Sequence, residues 1–175
     1  MHRSRQVSGW LTGAVLGLAG LVPARADQPR RTDVVVYGGT AGGVIAAVAA
    51  AREGKGVLLL EPGRHLGGMV SGGLGATDTG NRAAIGGYSR EFFRRVRDHY
   101  ARKYGPDSRQ VQDCSDGFHF EPHVAERIFQ EMLHEAKVEV LFGQHLDKVD
   151  KVGAHIETLH TPRGAFAAAV FMCRP

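Results

Sequence analysis

The chain has 175 residues, 22 Lys+Arg against 18 Asp+Glu, and two cysteines. Its excess of base sits at the start: residues 1–26 hold Arg3, Arg5 and Arg25 and no acid, so the remainder carries 19 basic against 18 acidic side chains and a net charge of +1. A near-neutral body argues against the focused basic face of a nucleic-acid partner, and two thiols, Cys114 and Cys173, are too few to ligate an iron–sulfur cluster and too far apart for a C-x-x-C dithiol.

In chain order, His2, Arg3 and Arg5 precede Trp10 to Val22, thirteen largely apolar residues, and Ala24-Arg25-Ala26 forms a small-x-small cleavage site. The pattern predicts a secretory signal peptide over 1–26, cut near Ala26. A spanning helix needs about 20 apolar residues, so no stable membrane anchor is expected. Ser4 separates the arginines and removes a twin-arginine signal. The expectation is export of the unfolded chain to the periplasm or beyond, with any cofactor captured there. Residues 27–32 read as a linker.

The stretch Thr32 to Glu61, TDVVVYGGTAGGVIAAVAAAREGKGVLLLE, holds a strand, a glycine turn, a helix and an acid-ended strand. Asp33 to Tyr37 is β-branched and aromatic without polar alternation, as in a strand buried on both faces. Gly38, Gly39, Gly42 and Gly43 make a turn whose backbone can approach a ligand closely, because no Cβ intervenes. The Ala-rich run from Ala41 to Arg52 predicts a slim helix whose N-terminal N–H groups and partial positive charge point at a pyrophosphate. Gly54 and Gly56 end it, and Val57 to Leu60 is the next strand. Glu61 follows 23 residues after Gly38, where a carboxylate accepts hydrogen bonds from a ribose diol and repels a 2′-phosphate. Aligned as G-x-G-x-x-G, the motif falls on Gly38, Thr40 and Gly43. Thr40 thus stands at the middle glycine, with a hydroxyl able to donate to a phosphate oxygen. An NAD-dependent dehydrogenase would share this βαβ unit.

Six of the fifteen residues from Pro62 to Ala76 are glycine, which suits a backbone wrapped around an extended ligand and exceeds what a nicotinamide domain needs there. The run GGTAGG, then LLLEPGRHLGGMVSGGLGATDTGN, then IGGYSREFF, resembles the FAD-dependent oxidoreductase family, whose members carry GGTPAG, E-P-x-x-x-L-G-G-M and S-G-G-L-G in that order. The resemblance covers about Asp33 to Val170. It implies a glutathione-reductase-like FAD domain in which the first turn holds the pyrophosphate, Glu61 the adenosine ribose, and Gly67 and Gly68 the backbone path towards the flavin. Family members commonly have Thr at the position of Thr40; Ala41 stands where Pro is usual and Gly42 where Ala is usual. His65, beside the glycine loop, is a candidate flavin contact.

From Tyr88 to Tyr104 an apolar stripe of Tyr88, Phe92, Phe93, Val96 and Tyr100 repeats at helical spacing, surrounded by Arg90, Arg94, Arg95, Arg97, Arg102 and Lys103. The aromatics read as core and the charges as a solvated helix face, not as a nucleic-acid surface. Cys114 reads as lying in a polar loop and Cys173 at a strand end, and whether they pair is open. His119, Glu121 and His123 in FHFEPH raise a metal site, but Pro122 reads as a helix start that turns the side chains apart, so no metal is expected.

Pro122 to Ala136 predicts an amphipathic helix and Val138 to Phe142 a third parallel strand. Gln144, His145 and Leu146 follow where the family uses main-chain groups to hold adenine, and the resemblance selects Leu146. Asp147–Val152, Ile156–Thr161 and Phe166–Cys173 read as an antiparallel meander with turns at Gly153 and at Pro162-Arg163-Gly164.

The fold class expected is α/β: a Rossmann-like FAD/NAD(P)-binding domain with a parallel sheet plus an antiparallel β-meander. Family members run from the last meander strand into an Asp-Ala-Thr segment and a substrate domain, whereas here Cys173-Arg174-Pro175 follows. The expectation is therefore an incomplete FAD-binding domain over 33–175, lacking the final sheet strand and the substrate domain. Such a chain by itself would be poorly stable and inactive, and its catalytic residues cannot be assigned. The function read is that of an exported FAD-dependent oxidoreductase, taking a hydride from a small-molecule substrate and passing electrons to a separate acceptor. A catalytically silent nucleotide-binding fragment and an NAD-dependent dehydrogenase are the alternatives.

Overall fold

A computed structural model describes residues 28–173 of the protein, so the leader read over 1–26 lies outside the described residues. Strand β1 (Arg30–Tyr37), helix α1 (Ala41–Arg52) and strand β2 (Val57–Glu61) form the βαβ unit. β1 starts before Asp33, so Arg30 to Thr32, read as linker, belong to the strand. They are drawn in by pairing with Phe166, Ala167 and Ala168. The helix α2 (Gly87–Tyr104), the short α3 (Arg109–Asp113) and α4 (Pro122–Glu135) follow. Strands β3 (Glu139–Phe142), β4 (Lys148–Val152), β5 (His155–Thr161) and β6 (Gly164–Cys173) close the described chain.

All six strands share one sheet in the order β3-β2-β1-β6-β5-β4. From β3 to β6 the neighbours are parallel, and β6, β5 and β4 are antiparallel, which is the meander. The period of two along a strand divides the core. Val34, Val36, Val57 and Leu59 belong to the cluster shared with α1, α2 and α4, whereas Val35, Leu58 and Leu60 pack with Leu159 and Phe166 of the meander. This double burial is why the two central strands read as continuous apolar runs.

Strand β6 corrects one expectation. Thr161 pairs with Gly164 across a Pro162-Arg163 turn, so the strand begins two residues before Phe166 and first runs antiparallel to β5. From Phe166 to Cys173 it runs parallel to β1, ending with Cys173 opposite Tyr37. It fills the place beside β1 because ten residues of extended, apolar chain are long enough to serve both neighbours.

The helices cover one face. Phe92, Val96 and Tyr100 of α2 are buried, and the Phe92 ring stacks on Phe129 of α4 at 4.5 Å and meets Phe120 edge-on at 5.8 Å. Their partner stripe on α4 is Val124, Ala125, Ile128, Phe129, Met132 and Leu133. Cys114 departs from the expected polar loop. It is buried at the end of α3, where its thiol approaches the carbonyl of Val111 at 3.1 Å, while Cys173 is exposed, and both are free thiols. A single helical turn capped by the Ser108 hydroxyl has too few residues to show a period, so sequence patterning passes over it.

Candidate cofactor site

Three of the glycine-turn N–H groups are committed to holding the turn itself. Gly38, at φ +100, donates to the carbonyl of Leu60 at 2.8 Å. Gly39 donates to Oε2 of Glu61 at 2.6 Å, and Gly43 donates to the hydroxyl oxygen of Thr40 at 3.2 Å. Thr40 is the N-cap of α1, with extended backbone at φ −62 and ψ 166. The N–H groups of Ala41 and Gly42, in the first turn, have no acceptor within the helix, and the Thr40 hydroxyl beside them keeps its own proton to donate.

Close packing explains which glycines are fixed. A Cβ on Gly43 would come within 2.0 Å of the Gly38 carbonyl oxygen, and one on Gly39 within 2.6 Å of Leu66 and 2.8 Å of Glu61. At Gly42 the nearest atom would be the Thr40 hydroxyl at 3.9 Å, so a methyl fits there.

Glu61 joins three segments. Its Oε2 takes the Gly39 N–H, its Oε1 takes the Gly63 N–H at 2.6 Å, and its backbone carbonyl takes the Gln144 N–H at 3.0 Å. Each carboxylate oxygen keeps a second lone pair for a further donor.

The loop after β2 folds back onto the turn. Gly67 donates to the Gly39 carbonyl at 2.7 Å and forms an isolated parallel bridge with Thr40. Gly67 has φ +101, and a Cβ on it would lie 2.8 Å from the Phe129 ring, so the backbone passes where only glycine fits; Gly68 continues it over Thr40. Glu126 of α4 secures this path by accepting the Leu66 N–H at 3.0 Å. The same carboxylate lies 3.2 Å from His65 Nδ1, so His65 has its own partner on the protein while its side chain is 80% exposed.

Leu146 lies on the loop between β3 and β4. Its N–H donates to the Tyr37 hydroxyl at 3.0 Å, so the main-chain donor expected at the adenine has a partner of its own. The loop leading to it is fixed by a buried pair, the Thr161 hydroxyl donating to Oε1 of Gln144 at 2.8 Å. The structure thus brings Gly38, Gly39, Thr40, Ala41, Gly42, Gly43, Glu61, Gly67 and Gly68 together at the carboxyl ends of β1 and β2. Leu146 follows β3 at the same ends. Sequence reasoning missed the roles of Tyr37, Glu126 and Thr161, and the side-chain bond of Gln144. Their roles rest on contacts with residues far along the chain, for which no local signal exists.

The profile of one family, FAD dependent oxidoreductase, matches residues 33–172. The chain belongs to the FAD dependent oxidoreductase family. FAD is therefore its cofactor, and the residues of this flavoprotein fit that group. The helix N-terminus and Thr40 hydroxyl suit a pyrophosphate, and the spare lone pairs of Glu61 suit a ribose diol. The absence of side chains at Gly39 and Gly43 lets the turn close on Leu66, Glu61 and the Gly38 carbonyl.

Solved structures share the fold at low identity. L-amino acid deaminase from Proteus vulgaris is 14% identical with a TM-score of 0.57, covering 93% of this chain and 50% of its own. L-proline dehydrogenase from P. horikoshii is 16% identical with a TM-score of 0.51, covering 83% and 53%. Bacillithiol disulfide reductase from Staphylococcus aureus is 14% identical with a TM-score of 0.52, covering 82% and 38%. The flavoprotein chain thus spans about half or less of the length of these proteins. Comparison with curated proteins gives no significant sequence match.

Proposed function

We propose that the whole protein is an exported oxidoreductase that uses FAD to take a hydride from a small organic substrate, and that electrons then leave to a separate acceptor. The observation that carries the reading is the closure of the glycine turn by Glu61 and Gly67 together. One fixes the ribose end and the other aligns the loop that leads away from the pyrophosphate. When bound, FAD supplies the hydride acceptor. The chain's own residues bind and orient: Thr40, Ala41 and Gly42 present donors to the pyrophosphate, Glu61 accepts from the ribose, and Gly67 and Gly68 keep side chains out of the path of the cofactor.

Turnover is proposed of the whole protein, and this chain, spanning about half the length of the similar structures, is read as its nucleotide-holding portion without turnover of its own. Export is supported by the basic, apolar and small-x-small order of residues 1–26. Among the described residues no helix is long and apolar enough to cross a membrane.

Refolding the whole protein with FAD and separating free flavin by gel filtration tests the reading. Retained flavin absorbance at a ratio near one per chain is the expected result. Retention of NAD in its place, or of neither, would overturn it.

A further inference from the structure

The α2 cations do not form one solvated face. Arg95 is neutralised by Glu91 and Glu135, at 2.8 and 2.5 Å. Arg90, Arg94 and Arg97 instead line, with Arg82, a pocket of about 210 Å³ between the start of α2 and the 115–118 turn. One carboxylate, Asp116, lines it against those four guanidinium groups.

Two of the four are oriented by uncharged acceptors. Arg90 donates to the carbonyls of Ile85 and Ala83 at 2.8 and 3.2 Å. Arg82 donates to the Ser115 and Thr79 hydroxyls at 2.9 and 3.2 Å and to the Ser115 carbonyl at 3.3 Å, and its guanidinium lies 4.4 Å over the Phe118 ring. Such partners fix direction without cancelling charge. Two carboxylates compensate in part: Asp98 pairs with Arg94 at 3.4 Å, and Asp116, its side chain 76% exposed, is 3.9 Å from both Arg82 and Arg97.

The opposite wall is preorganised. Ser115, Asp116 and Gly117 all have positive φ, at 49, 58 and 92 degrees. Non-glycine residues hold that conformation only where surrounding structure over-determines it, and such strain gathers at ligand sites. Here Gly117 is pressed against α2, where a Cβ would fall 1.9 Å from the Phe93 carbonyl oxygen.

We propose that this pocket binds a compact organic anion bearing two or more carboxylate or phosphate groups. Guanidinium forks match the oxygens of either group in pairs, and Ile85, Phe93 and Phe118 offer a short apolar wall for the carbon body between them. The lining shares no residue with the glycine turn, Glu61, Gly67, Gly68 or Leu146, so the ligand is not the pyrophosphate of FAD.

Calorimetric titration of the full chain with citrate, and separately with inorganic phosphate, tests this at fixed ionic strength. Citrate binds saturably and more tightly than phosphate, and its affinity falls as salt rises. The double variant Arg94→Gln, Arg97→Gln keeps the wild-type melting temperature and binds citrate at least about tenfold more weakly. Asp116→Asn, which tolerates positive φ, binds it more tightly. Absence of saturable citrate binding, equal affinity in the double variant, or displacement of citrate by FAD would each overturn the proposal.

Discussion

Oε2 of Glu61 accepts the backbone N–H of Gly39 at 2.6 Å, across the join between the first two parallel strands. The carboxylate proposed to accept from the ribose is therefore also a structural clamp on the glycine turn. Both roles use the same two oxygens, so they can be separated only by variants that keep one and lose the other.

Glu61→Ala removes both roles and should weaken FAD binding by about tenfold to a hundredfold, since hydrogen bonds to a charged group contribute roughly 1.5–3 kcal/mol. Glu61→Gln keeps one acceptor oxygen and should fall between. Flavin fluorescence titration measures both. Wild-type affinity in Glu61→Ala would sink the ribose assignment.

At Gly43 the constraint is steric. Gly43→Val places a branched side chain against the Gly38 carbonyl and should cost about 3 kcal/mol or more of stability, together with flavin content. Gly42→Ala, with open space at its Cβ, should change neither. Thermal melts and flavin-to-protein ratios read the contrast, and a Gly43→Val protein with normal values for both would show that the turn is not the pyrophosphate site.

Tyr37 and the adenine compete for one donor if the Leu146 N–H holds the base. Removing the hydroxyl in Tyr37→Phe should lower the stability of the cofactor-free protein by roughly 1 kcal/mol. It should also raise FAD affinity by about threefold to tenfold. Unchanged affinity alongside the lowered stability would remove the Leu146 N–H from the site.

Acid should release the helix layer. The Arg52 guanidinium, and after it Arg95, hold the Glu91 carboxyl down to about 2 against the upward effect of burial. Its pKa is lowered on folding, so the stabilisation is complete above the ordinary value of 4.5 and is lost as pH falls towards 2. Glu91→Gln should cost on the order of 1–3 kcal/mol at pH 7. The gap between its melting temperature and that of the wild type should close between pH 5 and pH 2. A gap independent of pH would show that the ion pairs do not carry the effect.

The βαβ unit was legible because each of its signals is local. The apolar run of Asp33–Tyr37, the glycines, the Ala-rich helix and the terminal acid report backbone geometry within a few residues of themselves, and the observed helix Ala41–Arg52 has the expected bounds. The amphipathic stripes of α2 and α4 were legible for the same reason, since a period of 3.6 names the buried face. A stripe does not say what lies opposite it, however. Phe92 faces Phe129, and Arg95 finds Glu135 on a neighbouring helix, only once the helices are packed.

Sequence alone thus determined that a strand, a glycine turn and a helix would be followed by a second strand ending in Glu61, because chain connectivity already holds those pieces together. Tertiary structure decided the rest. Tyr37 reaches Leu146 across 109 residues, Glu126 secures the loop at Leu66 across 60, and the second half of β6 takes the place beside β1. Arg82 likewise meets the 115–118 turn only where α2 and the preceding loop converge. The physical reason is that hydrogen bonds and charge depend on distances of a few ångströms between groups. Patterning fixes which face a side chain takes, and only the packed chain fixes those distances.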